Sequence, residues 1–211
     1  MLPEIAEVAL RSVAISGAAT LLALSWSLPL AYYVAERSSK TIATISEALV
    51  GVPTTLIGLL LYFILRNEGP LGFLQLLYTP YAIVVGEAIL VTPLLVAVTY
   101  RVLANAIATY GELALSLGAS RSQAMELAFT TSLPSLAAAA IMAFSRAVGE
   151  IGVALIVGGN IRGYTRTMTT AIALEVAKGE FWTALELGLI LVSLTVVVSL
   201  AVRLVKGLWE L

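Results

Sequence analysis

Long apolar stretches separated by short polar segments set the pattern of this 211-residue chain. A bilayer core of about 30 Å takes about 20 apolar residues as a helix. Five stretches fit that length, at about 12–35, 48–65, 81–100, 134–158 and 182–205. The opening residues, MLPEIAEVALRS, carry neither a basic leader nor a small-residue cleavage site. They read as a short surface helix leading into the first span, not as a removable signal.

The longest polar interruption runs from Asn105 to Pro134, NAIATYGELALSLGASRSQAMELAFTTSLP. It predicts a helix, a glycine turn and a second helix at a membrane face. Gly118 can adopt the left-handed conformation that stops a helix. Ser120, with Gln123 three residues on, has the spacing of a capping box for the next helix. The first helix is expected to present Glu112 and its neighbours as one polar face. Two roles fit such a hairpin: a surface on which a soluble partner pushes, or an amphipathic element that merely packs on the bundle.

Composition fixes the solvent. The chain is 60% apolar and only 12% charged, with a mean hydropathy of +0.99. Soluble domains are about 45–50% apolar and about 25% charged. A net charge of -1 leaves no basic footprint for nucleic acid. Cys and His are absent, which excludes disulfides, Cys or His metal sites and histidine switches. All 13 acidic residues are Glu. No GxxxxGK[ST] loop occurs, so no Walker-type nucleotide site is expected. No nucleophile–base pair supports an enzyme, and no cofactor is expected on this chain.

Basic residues bear on orientation. With the Asn105 segment cytoplasmic, the inside holds Arg37, Lys40, Arg101, Arg121, Arg203 and Lys206, and the outside holds Arg11, Arg66, Arg162, Arg166 and Lys178. That slight inner excess favours an N-out, C-in arrangement.

Three charges fall inside the third and fourth spans. Arg146 is expected near the middle of the fourth, where a charge costs about 2.5–3.5 kcal/mol on insertion scales. Glu150 follows one turn later on the same face. Glu87, in the third span, falls at similar depth by helical rise. A buried Glu87–Arg146–Glu150 cluster is therefore expected, either as a fixed ion-pair network or with Arg146 free to meet a passing anion. Glu186 is expected near an interface, snorkelling or pairing with Lys178. At the outer end of the fourth span comes GGNIRGYTR, Gly158 to Arg166. Its glycines could fold backbone N–H groups into an anion-holding nest, with Arg162 and Arg166 adding charge. Asn160 sits in that turn, and Thr167, Thr169 and Thr170 open a short helix suited to a small dianion. The alternative is a solvated loop on which a delivery protein docks.

The Glu112, Ala114, Gly118 spacing resembles the EAA loop of permease subunits in ATP-binding-cassette importers, with Leu113 where an alanine is usual and Leu133-Pro134 somewhat later. VPTTLIGLLLY, with Pro53 and Gly58, is similar to a helix of oxyanion permeases. The stretch FSRAVGEIGVALIVGGNIRGYTRTMTTAIALEVAKGEF, Phe144 to Phe181, resembles permease subunits of tungstate importers, and less closely molybdate permeases.

The resemblance implies an all-α membrane protein with about five transmembrane helices and the type I importer permease (MetI-like) fold. It implies a single transmembrane domain over residues 1–211 that works as a homodimer in the lipid bilayer. Glu112, Ala114, Gly118, Ala119 and Arg121 become the coupling surface for two ATP-binding-cassette ATPase subunits, which hold ATP and Mg. An extracytoplasmic oxyanion-binding protein is the second partner, and transport by alternating access is implied. Arg146, Glu150, Asn160, Arg166, Thr169 and Thr170 become candidates for the pathway or outer gate. The competing reading is an ion-gradient-driven secondary transporter with Glu87 and Glu150 as a proton relay. Such proteins more often carry inverted repeats and paired broken helices. Here one interrupted segment, near Gly158, stands without an evident repeat.

Overall fold

The computed structural model describes residues 2–37 and 40–207. The side chains of Lys40, Arg203 and Lys206, counted above among the inner basic residues, lie outside the description. The helices, in chain order, are α1 (Leu2–Glu36), α2 (Lys40–Leu49), α3 (Thr54–Leu65), α4 (Pro80–Ala106), α5 (Glu112–Ser116), α6 (Arg121–Val148), α7 (Gly152–Gly158), α8 (Met168–Lys178) and α9 (Phe181–Gly207). A 3₁₀ turn at Gly72–Leu74 precedes α4, and a π-helical turn at Ile107–Gly111 joins α4 to α5. Among the described residues, four helices are long and apolar enough to cross a membrane, or five if α2 and α3 together form a broken span.

The helices overrun the apolar stretches. α1 begins at Leu2, so the opening residues continue the first span rather than lying beside it as a separate surface helix. Its 35 residues reach about 52 Å at 1.5 Å per residue, well beyond the bilayer core. The run containing Glu87 likewise extends from Pro80 to Ser116. The fourth span was expected to be continuous from Pro134 to Gly158. Instead α6 begins at Arg121, takes Pro134 inside it and ends at Val148. Pro134 supplies no N–H to the preceding turn. There Thr130, Thr131 and Ser132 turn their hydroxyls back on the carbonyls of Glu126, Leu127 and Ala128 at 2.9, 2.8 and 2.6 Å. After Val148 the ladder breaks and restarts at Gly152 as α7.

Two compact units divide the chain. One holds the first 22 residues, Val52–Leu90 and the chain from Phe144 onward. Its core joins Ile15, Leu61, Leu65, Ile83, Val153 and Val157. A second cluster there packs Val8, Met168 and Ala171 against Leu187. Helices α3 and α7 approach backbone to backbone. A Cβ on Gly58 would meet Val153 Cα at 3.2 Å, and one on Gly152 would meet Thr54 Oγ1 at 2.7 Å. The glycine of the Pro53–Gly58 motif is thus a packing requirement. The other unit holds Ala23–Gly51 and Val91–Ala143. Its core is Ala31, Ala35, Leu103 and Leu136, with Tyr32 edge-on to Phe129 at 6.3 Å.

Candidate functional site

In the second unit the predicted hairpin is present in detail. α5 stops at Ser116, and Gly118 takes φ +89°. The Ala119 N–H then donates to the Ala114 carbonyl at 3.0 Å, and the Gly118 N–H to Leu115 at 3.1 Å, closing the helix end. The capping box forms as the spacing predicts: Ser120 N–H donates to Gln123 Oε1 at 2.8 Å, and Gln123 N–H to Ser120 Oγ at 3.3 Å. Gly111 brings α5 close to α6, where a Cβ would lie 3.8 Å from the Ala124 carbonyl oxygen. Ala114 is buried beneath the turn. Arg121 pairs with Glu36 at 3.1 Å, anchoring the start of α6 to the end of α1.

The exposed face differs from the polar one expected. Glu112 and Ser116 are exposed, but so are Leu113, Leu115 and Leu117, the last 80% exposed. An acidic residue beside three uncovered leucines makes a sticky tip rather than a solvated polar one.

In the first unit, the charges meet at a junction of helix ends. Arg146 lies in the last turn of α6, not mid-span, because α6 ends two residues later. Its Nη1 donates to Glu150 Oε2 at 2.7 Å. The Glu150 side chain is 3% exposed, while that of Arg146 is 40% exposed. Glu150 Oε1 accepts from Val153 N–H at 3.3 Å, capping α7. The Glu150 carbonyl accepts from Thr169 Oγ1 at 2.7 Å, fixing the start of α8. One residue therefore holds the ends of three helices. Glu87 is 2% exposed on α4. It hydrogen-bonds Ser16 of α1 and lies within electrostatic range of Glu150 and Arg146. Its Oε2 has no hydrogen-bond partner among the described residues.

The glycine-rich segment after α7 is knotted internally. Gly159, Asn160 and Gly163 take φ of +71°, +50° and +76°. The N–H groups of Tyr164, Thr165 and Arg166 converge on the Ile161 carbonyl at 3.1, 3.0 and 3.0 Å. Thr165 Oγ1 donates to the Gly158 carbonyl and accepts from Ile161 N–H. The expected anion nest is therefore filled by the protein's own acceptor. Arg166 Nε donates to Asn160 Oδ1 at 3.1 Å. Arg162 is forked by Glu4 at 2.7 and 2.8 Å, a hydrogen-bonded pairing that raises the guanidinium above its ordinary pKa. Arg11 ties the segment to α1 by donating to the Arg166 and Gly163 carbonyls, both at 3.1 Å.

The threonines expected to face a dianion are committed too. Thr167 and Thr170 form a capping box for α8, and Thr170 is fully buried. The Met168 N–H at that helix start goes to Ser12 Oγ at 2.8 Å. Lys178 pairs with Glu175 at 2.8 Å rather than with Glu186. Among the described residues, no group of His, Cys, Asp and Glu could hold a metal ion.

Sequence reasoning assigned no role to Ser12 and Ser16, and counted Arg11 only toward orientation. Ser12, Ser16 and Thr20 recur at i, i+4 and i+8 and are all buried. A polar stripe at helical spacing inside an apolar span was the available signal.

The comparisons agree with this architecture. Residues 11–207 match the family described as the binding-protein-dependent transport system inner membrane component. The chain belongs to this family. As an inner membrane component of such systems, it has the importer permease fold that its helical, span-rich architecture displays. It is 34% identical over 200 residues to the tungstate uptake system permease protein TupB of Peptoclostridium acidaminophilum, covering 93% of this chain and 88% of that protein. It is 32% identical over 196 residues to a probable anion ABC transporter permease protein of Haloferax volcanii, covering 89% and 84%. A third relative is the molybdenum transport system permease protein ModB of Azotobacter vinelandii, 30% identical over 198 residues and covered at 86% in both chains.

Proposed function

We propose that this chain is the membrane-spanning subunit of an ATP-driven importer for a tetrahedral oxyanion, with tungstate as the first candidate and molybdate next. Two copies form the pathway, N-out and C-in. A separate ATPase pair supplies the energy, and an extracytoplasmic binding protein delivers the ion. The observation that carries this reading is the hairpin tip: Glu112 beside exposed Leu113, Leu115 and Leu117, held rigid by Gly118 and the Ser120–Gln123 box. A rigid, uncovered apolar tip in a membrane chain suits a soluble subunit's groove. Glu112, Ala114, Gly118, Ala119 and Arg121 form that coupling element.

Substrate choice rests on the likeness to tungstate and molybdenum permeases, the first at 34% identity. Tetrahedral oxyanions offer acceptor oxygens only, so the pathway needs donors that let go readily. Arg146 is suited to this. Its open side, 40% exposed, needs water or a polar partner, because lipid would not accept a guanidinium. Asn160, Arg166, Thr169 and Thr170 act as the frame of the outer gate rather than as ligands: Asn160 Oδ1 holds Arg166 Nε, and the hydroxyls of Thr169 and Thr170 are bonded to protein partners.

During alternating access, closure of the ATPase pair pushes the hairpin, and the rigid tip passes the push to the helices that flank it. The test is co-purification with the ATPase subunit. Wild type should hold the ATPase through gel filtration, and Leu113→Ser/Leu117→Ser should release it. Retention by that double variant at wild-type level would remove the hairpin as the coupling site.

A further inference from the structure

The charge cluster contains two buried carboxylates for one guanidinium. Glu150 is fully engaged, with Oε2 on Arg146 Nη1 and Oε1 on Val153 N–H. Glu87 is as deeply buried, with Ser16 as a hydrogen-bonding neighbour, yet its Oε2 has no partner among the described residues. A buried carboxylate oxygen left empty is costly, and such groups in native proteins ask for a reason. Structural need does not supply one, because Glu150 already secures the helix ends.

Connectivity does. Glu87 rides on a helical run that continues from Pro80 to Ser116, through the π-helical turn at Ile107–Gly111, into the hairpin's first limb. Arg146 rides on α6, which begins at Arg121 as the second limb. The two limbs of one hairpin thus each carry one of these charges. Within the first unit, a shift of the Glu87 segment of α4 against the Arg146 end of α6 changes the register between the two side chains. Arg146 is free to respond, since its side chain is half exposed and tethered by a single ion pair. Ser16 and the empty oxygen leave Glu87 ready to receive it.

We propose that Glu87 is a positioning residue for Arg146: a second seat, to which the guanidinium passes from Glu150 when the two segments shift. This rests on the importer reading above. The guanidinium is then never without a carboxylate in the low-dielectric interior, and it passes between two fixed positions rather than wandering. The other charged groups facing this exchange are Glu150 and Arg146 themselves, and α1 contributes Ser16.

The experiment uses the complete complex with its ATPase and loaded binding protein in proteoliposomes, comparing wild type with Glu87→Gln and Glu87→Asp. Wild-type uptake is measured first. A wild-type complex that moves no oxyanion with ATP fails the importer reading itself, before any variant is compared. With wild type active, Glu87→Gln should assemble and hydrolyse ATP within about twofold of wild type, yet lose at least tenfold in uptake per ATP. Glu87→Asp, which restores the carboxyl group, should recover most of that ratio. Uptake per ATP within twofold of wild type in Glu87→Gln would overturn the proposal. So would failure of both variants to assemble, or an equal fall of hydrolysis and uptake, since either outcome makes Glu87 a packing residue.

Discussion

Arg146 Nη1 sits 2.7 Å from Glu150 Oε2, and the acid is the buried member of the pair. The same acid caps α7 through Val153 N–H, and its carbonyl receives the Thr169 hydroxyl at the start of α8. The pair is thus a junction as well as a charge. Glu150→Ala should destabilise the fold by roughly 3 kcal/mol, toward the lower end for breaking a buried pair because Arg146 stays partly open to screening. Thermal unfolding in detergent checks this. Arg146→Gln keeps a hydrogen-bonding tip and should fold, while oxyanion uptake falls at least tenfold. Unaltered uptake in that variant would remove Arg146 from the pathway.

Gly118, at φ +89°, closes α5. An alanine there costs about 1–2 kcal/mol of left-handed strain and should reduce coupling modestly. Proline, fixed near φ −65°, cannot adopt the turn at all. Gly118→Pro should uncouple ATP hydrolysis from transport, read as ATP consumed per ion moved in vesicles. A wild-type ratio in the proline variant would count against a rigid hinge.

Local rules made part of this molecule readable in advance. The Gly118 turn and the Ser120–Gln123 box depend on nearest neighbours in sequence, and both formed as their spacing predicts. Hydropathy found the spans but not the helix ends. It marks where apolar side chains are needed, whereas good helix formers such as Glu, Ala and Leu carry α1 and the α4–α5 run past that zone. The break after Val148, at residues 149–151, lies in a stretch whose average hydropathy still reads as one span, so hydropathy missed it. The outer segment was misjudged for another reason. Its glycines and threonines have the composition of an anion site, but composition says nothing of which acceptors those donors already hold. Ile161, Gly158 and Glu150 carbonyls take them.

The crossing of α3 and α7 gives a steric expectation. A Cβ on Gly152 would lie 2.7 Å from Thr54 Oγ1 and 3.0 Å from Thr55 N. Gly152→Ala should therefore destabilise by about 1–3 kcal/mol, and Gly58→Val similarly. Gly17, whose Cβ meets nothing within 4 Å, should accept alanine without loss. Equal melting temperatures for Gly152→Ala and Gly17→Ala would contradict the close approach.

The outer segment is tied to α1 by unequal contacts. Arg11 holds two backbone carbonyls, whereas the Glu4–Arg162 fork is exposed. Exposed pairs contribute about 0–1 kcal/mol. Arg11→Ala should speed protease cleavage within Gly158–Arg166 severalfold, and Arg162→Gln should change it little. The reverse order would mean that the surface pair holds the loop.

ATP-driven uptake by the reconstituted complex tests the central claim most directly. Proteoliposomes would hold this chain with its ATPase partner, and the binding protein would be loaded in turn with tungstate, molybdate, sulfate or phosphate. The importer reading expects ATP-dependent uptake, with tungstate stimulating hydrolysis and entering first. Failure to form a complex with any such ATPase, together with uptake driven by an imposed proton or sodium gradient, would contradict it.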